Sequence, residues 1–378
     1  MKVLLVGNYL RDGQPSMQRF TTLMASGLSE AGHQVRVLRP PALVGKIGRA
    51  GEESGKWLGY IDKFAIFPAI LPAAVRWSDV VHICDHSNSI YVKYLQGVPH
   101  VVTCHDLLGV RSALGEIPQN QTRWTGRQLQ RQILSGLSKA QHIVCVSEAT
   151  RADLLRVAGV PETRVSRVYN ALGYPYSPMN REEATFRVGQ LLIDPNHPFL
   201  LHVGGNQWYK NRLGVLRIFL LLRKCSGRTF NLVMVGKAWT KEMRHFVAEN
   251  ELGCAVTELT AVEDEDLRAL YSTATMMLFP SLQEGFGWPI VEAQACGCPV
   301  VTSRRSPMSE VGGNAAVYVD PDNPESAAAV VESYLDRVKS LRQASLNNAA
   351  RFNRSAMIRS YLSLFEKVCS HNVSPVLA

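Results

Sequence analysis

The chain has 378 residues, 46% hydrophobic and 19% charged, with a formal net charge of +9. That composition excludes a disordered or fibrous chain, and no stretch approaches the roughly 20 uncharged apolar residues of a membrane span. The length predicts two domains, and the eight cysteines contain no C-x-x-C pair, which argues against both a zinc site and a disulfide framework and for a reducing cytoplasm.

MKVLLVGNYL has too few apolar residues for a signal-peptide core and reads as a buried first strand. VLLVG (3–7), QVRVL (34–38), DVVHIC (79–84), HVVTCHD (100–106) and HIVCVS (142–147) are expected as buried parallel strands. SMQRFTTLMASGLSEA (16–31) is an amphipathic helix ending at Gly32. WLGYIDKFAIFPAILPAAV (57–75) is aromatic and apolar, but Pro68, Pro72 and Asp62 argue against a span. In 111–139, Arg123, Arg127 and Arg131 follow helical spacing beside Trp124, Ile133, Leu134 and Leu137. Such a helix can lie on an anionic bilayer, and an ordinary surface helix is the competing reading.

Residues 174–198, rich in Pro, Asn and Asp, read as a linker between a first domain, 1–173, and a second, 199–354. The second domain repeats the pattern with FLLHVGG (199–205), FNLVMVG (230–236), AVTELT (255–260), TMMLFPS (275–281) and CPVVTS (298–303). The amphipathic tail, 355–369, is expected to pack back on the first domain. Strand–helix alternation of this kind predicts two doubly wound α/β domains facing across a cleft, with ligands at the strand C-termini. Charge is uneven: residues 1–170 carry 20 Lys and Arg against 12 Asp and Glu, while 171–378 carry 21 against 20. The basic first half fits an anionic partner such as a membrane surface, or a solvated face with no partner.

PSLQEGFGWPIVEAQACGCPVV (280–301) places Glu284 and Glu292 in the least polar part of the second half. A buried carboxylate costs several kcal/mol unless it is compensated. Gly285 and Gly287 permit close backbone approach, and Pro289 suits the first position of a helix. The amides of Ile290 and Val291 would then be free to bind an anion, with Glu292 at the fourth helical position. The plainer alternative is that Glu292 complements the helix dipole, worth about 0.3–1 kcal/mol.

Glu284 to Glu292, E-G-F-G-W-P-I-V-E, resembles the E-x7-E motif of retaining glycosyltransferases of family 4, glycosyl transferases group 1, with the GT-B fold. GHQV (32–35), TCHDLLG (103–109), VCVSEATRADL (145–155), DEDLRALYSTA (264–274) and CGCPVVTS…EVGG…DP (296–321) extend the resemblance over nearly the whole chain. It implies that Glu284 contacts hydroxyls of the donor sugar and Glu292 those of the nucleotide ribose, with the backbone of Phe286, Gly287 and Trp288 passing along the sugar. HVGGNQWYKNR (202–212) resembles the family's V-G-R-x4-K-N segment. Lys210 matches the lysine, but Gly205 stands at the arginine position, so Arg212 is the candidate replacement as diphosphate-binding cation. Gly13 stands where the family has its glycine-rich loop, though Gln14 follows in place of a second glycine.

The resemblance makes His105 the histidine beside the donor sugar, orienting it and stabilising charge rather than acting as a base. No D-x-D cluster lies in a suitable loop, so no metal or other cofactor is expected, and helix amides and side-chain cations must meet the leaving diphosphate. Asp85, His86 and Asp106 are candidates for the acceptor side. H-x-x-D-H (82–86) is not expected to bind metal, because side chains alternate faces on an extended chain.

The resulting expectation is a cytoplasmic hexosyltransferase acting with retention, either free or peripheral at the inner face of the membrane. It would move a sugar from a nucleoside diphosphate sugar, UDP-sugar favoured, to a saccharide or lipid-linked acceptor in polysaccharide or glycolipid synthesis. A GT-B epimerase, which needs no acceptor, and a phosphorylase, which needs a phosphate site, are the rival enzymes. Nucleic-acid binding is disfavoured because the basic residues lie on helices rather than among aromatics on a sheet. A dinucleotide dehydrogenase is excluded by the absence of G-x-G-x-x-G after the first strand.

Overall fold

The computed structural model describes residues 1–47 and 53–371. The apolar runs form strands where the alternation places them. In the first unit these are β1 (Lys2–Val6), β2 (Gln34–Leu38), β3 (Val80–Ile83), β4 (His100–Cys104), β5 (His142–Cys145) and β6 (Val165–Arg167). In the second they are β7 (Phe199–Gly204), β8 (Asn231–Gly236), β9 (Val256–Leu259), β10 (Met276–Phe279), β11 (Val300–Ser303) and β12 (Val317–Val319). Each set makes one six-stranded parallel sheet, ordered β2-β1-β3-β4-β5-β6 and β12-β11-β10-β7-β8-β9. The strand order reverses between β1 and β3 in the first sheet and between β7 and β10 in the second. Helices diverge at such points and leave a crevice beyond the strand C-termini.

Three strands depart from the sequence expectation. β6 and β12 went unread because three-residue edge strands are too short to show a pattern. β2, expected to be buried, is an exposed edge on which Gln34, Arg36 and Val37 face solvent. Arg36 lies 4.0 Å over the ring of Trp77, a cation–π contact that covers part of that edge.

The chain divides into Met1–Gly173 with the C-terminal segment from Arg354, and Tyr174–Asn353. The helix Arg354–His371 packs on the first unit: Tyr361 and Phe365 are fully buried, and Tyr361 shares a 2.9 Å hydrogen bond with Thr103 on β4. Residues 174–198 are not a plain linker. They belong to the second unit and contain the helix Arg181–Gln190, capped by Asn180 and turned inward on Ala184 and Val188. Its Arg187 pairs with Asp266 at 3.2 Å. The flanking prolines and asparagines, read as punctuation, concealed its short apolar stripe.

The segment expected at 111–139 as one basic helix is two, Leu108–Ala113 and Trp124–Lys139. Arg123 is the extended N-cap residue of the second, so the helical arginine face holds only Arg127 and Arg131. Conversely, the prolines at 68 and 72 do not break the helix before β3. Glu53–Ile61 runs through a π-turn, Asp62–Ile66, into Phe67–Val75. Trp57–Val75 is therefore long and apolar enough, by length and composition, to cross a membrane. Its inner face is nevertheless tied to the unit. Buried Asp62 accepts hydrogen bonds from the amides of Val44 (2.9 Å) and Gly45 (2.9 Å) and from the Tyr9 hydroxyl (2.8 Å). Burial opposes ionisation of this carboxyl, but those donors hold its pKa below the usual range.

Helix Trp124–Lys139 approaches the 3-10 segment His86–Tyr94 through Gly136, where a Cβ would lie 2.1 Å from the Ser89 carbonyl oxygen. Gly→Ala in a helix interior ordinarily stabilises by about 1 kcal/mol. Here Gly136→Ala is expected to destabilise the protein by about 1–3 kcal/mol, read as a lower midpoint in chemical denaturation.

Candidate active site

The second unit's polar centre is built by two loops at the reversal between β7 and β10. After β7 the chain passes Gly205, a 3-10 turn at Trp208–Lys210 and Asn211, which is left-handed (φ 51°) and starts the helix Arg212–Cys225. After β10 it passes Pro280 to Gly287 and enters the helix Trp288–Ala295. The Leu282 amide donates to the Tyr209 carbonyl at 2.7 Å. The Asn211 side-chain amide donates to the carbonyls of Pro280 and Pro321, both at 3.1 Å. The loops are thus pinned to each other before any ligand arrives.

Lys210 Nζ then meets Glu284 Oε1 at 2.7 Å, with the two side chains 14% and 8% exposed. This pair compensates the carboxylate whose burial the sequence left unexplained. The ammonium also lies 5.0 Å over the Phe279 ring. Arg212, the replacement cation, is 5% exposed. Its Nη1 donates to the Lys237 carbonyl at 2.7 Å and to Asn206 Oδ1, while Nε and Nη2 are buried with no hydrogen-bond partner among the described residues. Burial pushes its pKa down against the opposing charge of Glu258. Gly205 lies beneath the Gln207 side chain, whose Oε1 would be 2.5 Å from a Cβ.

Gly287 (φ 102°) caps the helix in a conformation that favours glycine. The helix begins at Trp288, so Pro289 occupies its second position and Glu292 its fifth, one later than expected. The Ile290 amide, expected to be free, donates to the Gly287 carbonyl at 3.0 Å, and Val291 is fully buried. Proline at the second position still removes only an amide that lacks an intrahelical acceptor. Glu292 is half-buried and accepts a 3.0 Å hydrogen bond from the Tyr271 hydroxyl. The Phe286 ring packs edge-on against Phe352 and Trp288, so its side chain belongs to the packing of the loop.

In the first unit the corresponding reversal, between β1 and β3, gathers a second polar cluster. Gly13, left-handed at φ 61°, closes the turn between β1 and the helix Pro15–Glu30. Asn8 follows β1 after one intervening residue, Gly7, and its amide donates to Gln14 Oε1 and Asp85 Oδ2, both at 2.5 Å. Asp85 also accepts from the Ser87 hydroxyl at 2.6 Å and pairs with His86 Nδ1 at 3.0 Å. Burial works against the charge on both, but their mutual attraction dominates. It holds the Asp85 carboxyl far below its ordinary range and raises His86 to about 8, with Asp106 adding to the latter.

Asp106 also accepts a 3.0 Å hydrogen bond from the amide of Leu108, the first residue of the helix Leu108–Ala113. His105 Nε2 donates to the Cys84 carbonyl at 2.9 Å, and its ring meets Phe20 edge-on at 4.7 Å. Burial lowers its pKa, opposed by Asp85, so the imidazole is neutral at pH 7. His82 points elsewhere, to Thr103 at 2.8 Å, and burial drives it to about 3. Among the described residues no group of three His, Cys, Asp or Glu side chains is arranged to hold a metal ion.

Asp85, His86, His105 and Asp106 are therefore brought to neighbouring strand ends, and Lys210, Arg212 and Glu284 to adjoining loops. Asn8, Gln14, Asn211, Tyr271 and Asn88, whose amide donates to Asn8 Oδ1 at 3.1 Å, were missed. For Asn8 a signal existed, because a polar residue just after the first strand stands at the strand-order reversal.

Two family profiles match the chain in succession: Glycosyltransferase Family 4 over residues 17–172 and Glycosyl transferases group 1 over 185–351. The chain belongs to this family of glycosyltransferases. As an enzyme it is a hexosyltransferase, and its fold is GT-B. It is 28% identical over 260 residues to O-antigen chain mannosyltransferase B of Escherichia coli, a match covering 67% of each chain. The sucrose-phosphate synthase of Thermosynechococcus elongatus has the same fold, with a TM-score of 0.78, 18% identity and coverage of 98% of this chain and 100% of that one. So does Anabaena HepE, solved with UDP and glucose, with a TM-score of 0.74, 15% identity and coverage of 97% and 99%.

The Asp85–His86 pair gives this glycosyltransferase a pH signature. A His86 pKa of about 8, above the ordinary 6.5, contributes stability that is complete below 6.5 and lost as pH rises through 8. The amount at stake is on the order of 2 kcal/mol. Unfolding free energies measured by denaturant titration on either side of this window should fall with rising pH in the wild type. That fall should be absent in His86→Gln.

Proposed function

We propose that this enzyme transfers a hexose, with retention of configuration, from a nucleoside diphosphate sugar to a hydroxyl of a saccharide or lipid-linked acceptor in polysaccharide or glycolipid synthesis. The carrying observation is the largely buried Lys210–Glu284 pair, which stands eight positions before Glu292 along the segment that resembles the family's E-x7-E motif. Glu284 accepts hydrogen bonds from hydroxyls of the donor sugar, and Glu292 from those of the ribose. Lys210 and Arg212 supply positive charge to the departing diphosphate, in place of a metal ion. The two unpartnered nitrogens of Arg212 are what support its share of that role.

In the transfer step the acceptor oxygen bonds to the anomeric carbon. The bond from that carbon to the phosphate oxygen breaks with its electrons on the diphosphate, which takes the acceptor proton. Neutral His105 orients the sugar and stabilises developing charge without acting as a base. Asp85, His86 and Asp106 are assigned to the acceptor. Two donors are put forward: a UDP-hexose, supported by likeness to a protein solved with UDP and glucose, and a mannosyl donor, supported by likeness to an O-antigen chain mannosyltransferase.

Thermal stabilisation across UDP-, GDP-, ADP- and dTDP-sugars should single out one nucleotide. Glu292→Ala is expected to weaken that nucleotide by about tenfold or more. Glu284→Gln should instead slow transfer by about 10²-fold, with nucleotide affinity largely kept. Equal loss of nucleotide affinity in both variants would overturn this division of roles.

The same reading places the enzyme in the cytoplasm at the inner face of a membrane. Its support is the outer side of Trp57–Val75, where Trp57, Ile61, Phe64 and Ile70 are 64%, 45%, 40% and 38% exposed, in a half of the chain with a surplus of eight positive charges. An apolar face within a basic field suits an anionic lipid surface. The protein should sediment with vesicles containing phosphatidylglycerol and not with pure phosphatidylcholine, and I61E/F64E should abolish this. Undiminished sedimentation of the double variant would refute the assignment.

A further inference from the structure

Tyr271 lies on the helix Asp264–Thr273, outside both loops of the candidate site, and is fully buried. A buried phenol without a hydrogen-bond acceptor costs about 1–3 kcal/mol, so the position of its hydroxyl is informative. That hydroxyl is 3.0 Å from Glu292 Oε2. The ring is fixed from the other side by Tyr176, edge-on at 5.8 Å, whose own hydroxyl donates to Asp264 Oδ1 at 3.1 Å. Tyr174 packs on Tyr176 at 5.1 Å and donates to Glu265. Arg268, one turn before Tyr271, holds the same 174–178 segment through the Ser177 carbonyl at 2.8 Å. The phenol is thus built into a rigid aromatic and polar lattice, and its donor is directed at a single carboxylate oxygen.

We infer that Tyr271 is a positioning residue for nucleotide binding, which fixes the Glu292 carboxylate in the orientation that receives the ribose hydroxyls. The inference rests on the reading of Glu292 as the nucleotide-binding carboxylate. An ionised carboxylate accepts about four hydrogen bonds in all, so the phenol donor restricts the Glu292 rotamer while occupying only one of those positions. A free glutamate on a helix surface would have to be immobilised when the nucleotide binds, at an entropic cost of about 0.5–1.5 kcal/mol. With Tyr271 in place that cost is met during folding. Burial and the neighbouring Glu292 charge both disfavour loss of the phenol proton, so Tyr271 remains a hydrogen-bond donor at neutral pH.

The test is Tyr271→Phe, which keeps the ring and removes only the hydroxyl. Binding of UDP, GDP, ADP and dTDP is measured by calorimetry in wild type, Tyr271→Phe, Glu292→Ala and the double variant, with donor KM and kcat alongside. Tyr271→Phe should weaken the bound nucleotide on the order of tenfold and raise donor KM similarly, with kcat unchanged. It should have no further effect in the Glu292→Ala background. A purely structural tyrosine would lower the melting temperature and leave nucleotide affinity alone, which overturns the inference. Equal losses from Tyr271→Phe in both backgrounds also overturn it. If Glu292→Ala itself leaves affinity intact, or none of the four nucleotides binds, the underlying reading fails and the inference with it.

Discussion

The Lys210–Glu284 contact is the interaction on which the second unit's site depends. Both partners sit on loops leaving the C-terminal ends of parallel strands, β7 and β10, on either side of the reversal in strand order. Each charge is largely shielded from water and is compensated by the other across a 2.7 Å contact. Together they hold an anionic and a cationic group within one hydrogen bond of each other, the arrangement on which the proposed donor site is based. Asn211 makes this possible from beneath. Its left-handed backbone turns the chain into the helix, while its side chain fastens the loops after β10 and β12.

The first unit solves the same problem with different residues. Beyond the β1–β3 reversal, Asp85 is buried among donors from Asn8, Ser87 and His86, and its charge raises the His86 pKa. His105 stays neutral a short distance along the next strand because burial outweighs the attraction of Asp85. Two histidines thus hold opposite protonation states at pH 7, set by whether a carboxylate touches the ring. Parallel sheets favour this arrangement, because each reversal leaves several strand ends open to polar side chains while the strands themselves remain in the core.

Buried hydrogen-bonding groups decide orientation elsewhere as well. Asp62 fixes which side of the helix Trp57–Val75 faces inward, leaving aromatic and aliphatic residues outside. Tyr271 fixes the carboxylate of Glu292 by the same means. In both cases one polar group in an apolar setting has few ways to be satisfied, and so specifies a single arrangement.

The amino-acid sequence by itself determined the two parallel α/β series, because runs such as VLLVG and FLLHVGG are too short for buried helices and are ended by glycine, which leaves buried strands. It also singled out 280–292 as a candidate ligand-binding segment, from its glycines, its proline and its two glutamates in an apolar setting. It could not show β6 or β12, whose three residues carry no period, nor the helix inside 174–198, whose stripe is only Ala184 and Val188. Nor could it place the helix start at Trp288 rather than Pro289, since capping geometry depends on the φ that Gly287 adopts. Only the tertiary structure decided that Lys210 reaches Glu284 and Tyr271 reaches Glu292, across 74 and 21 positions of sequence. Such pairs are set by how strands order themselves in a sheet, and local residue spacing carries no record of that order.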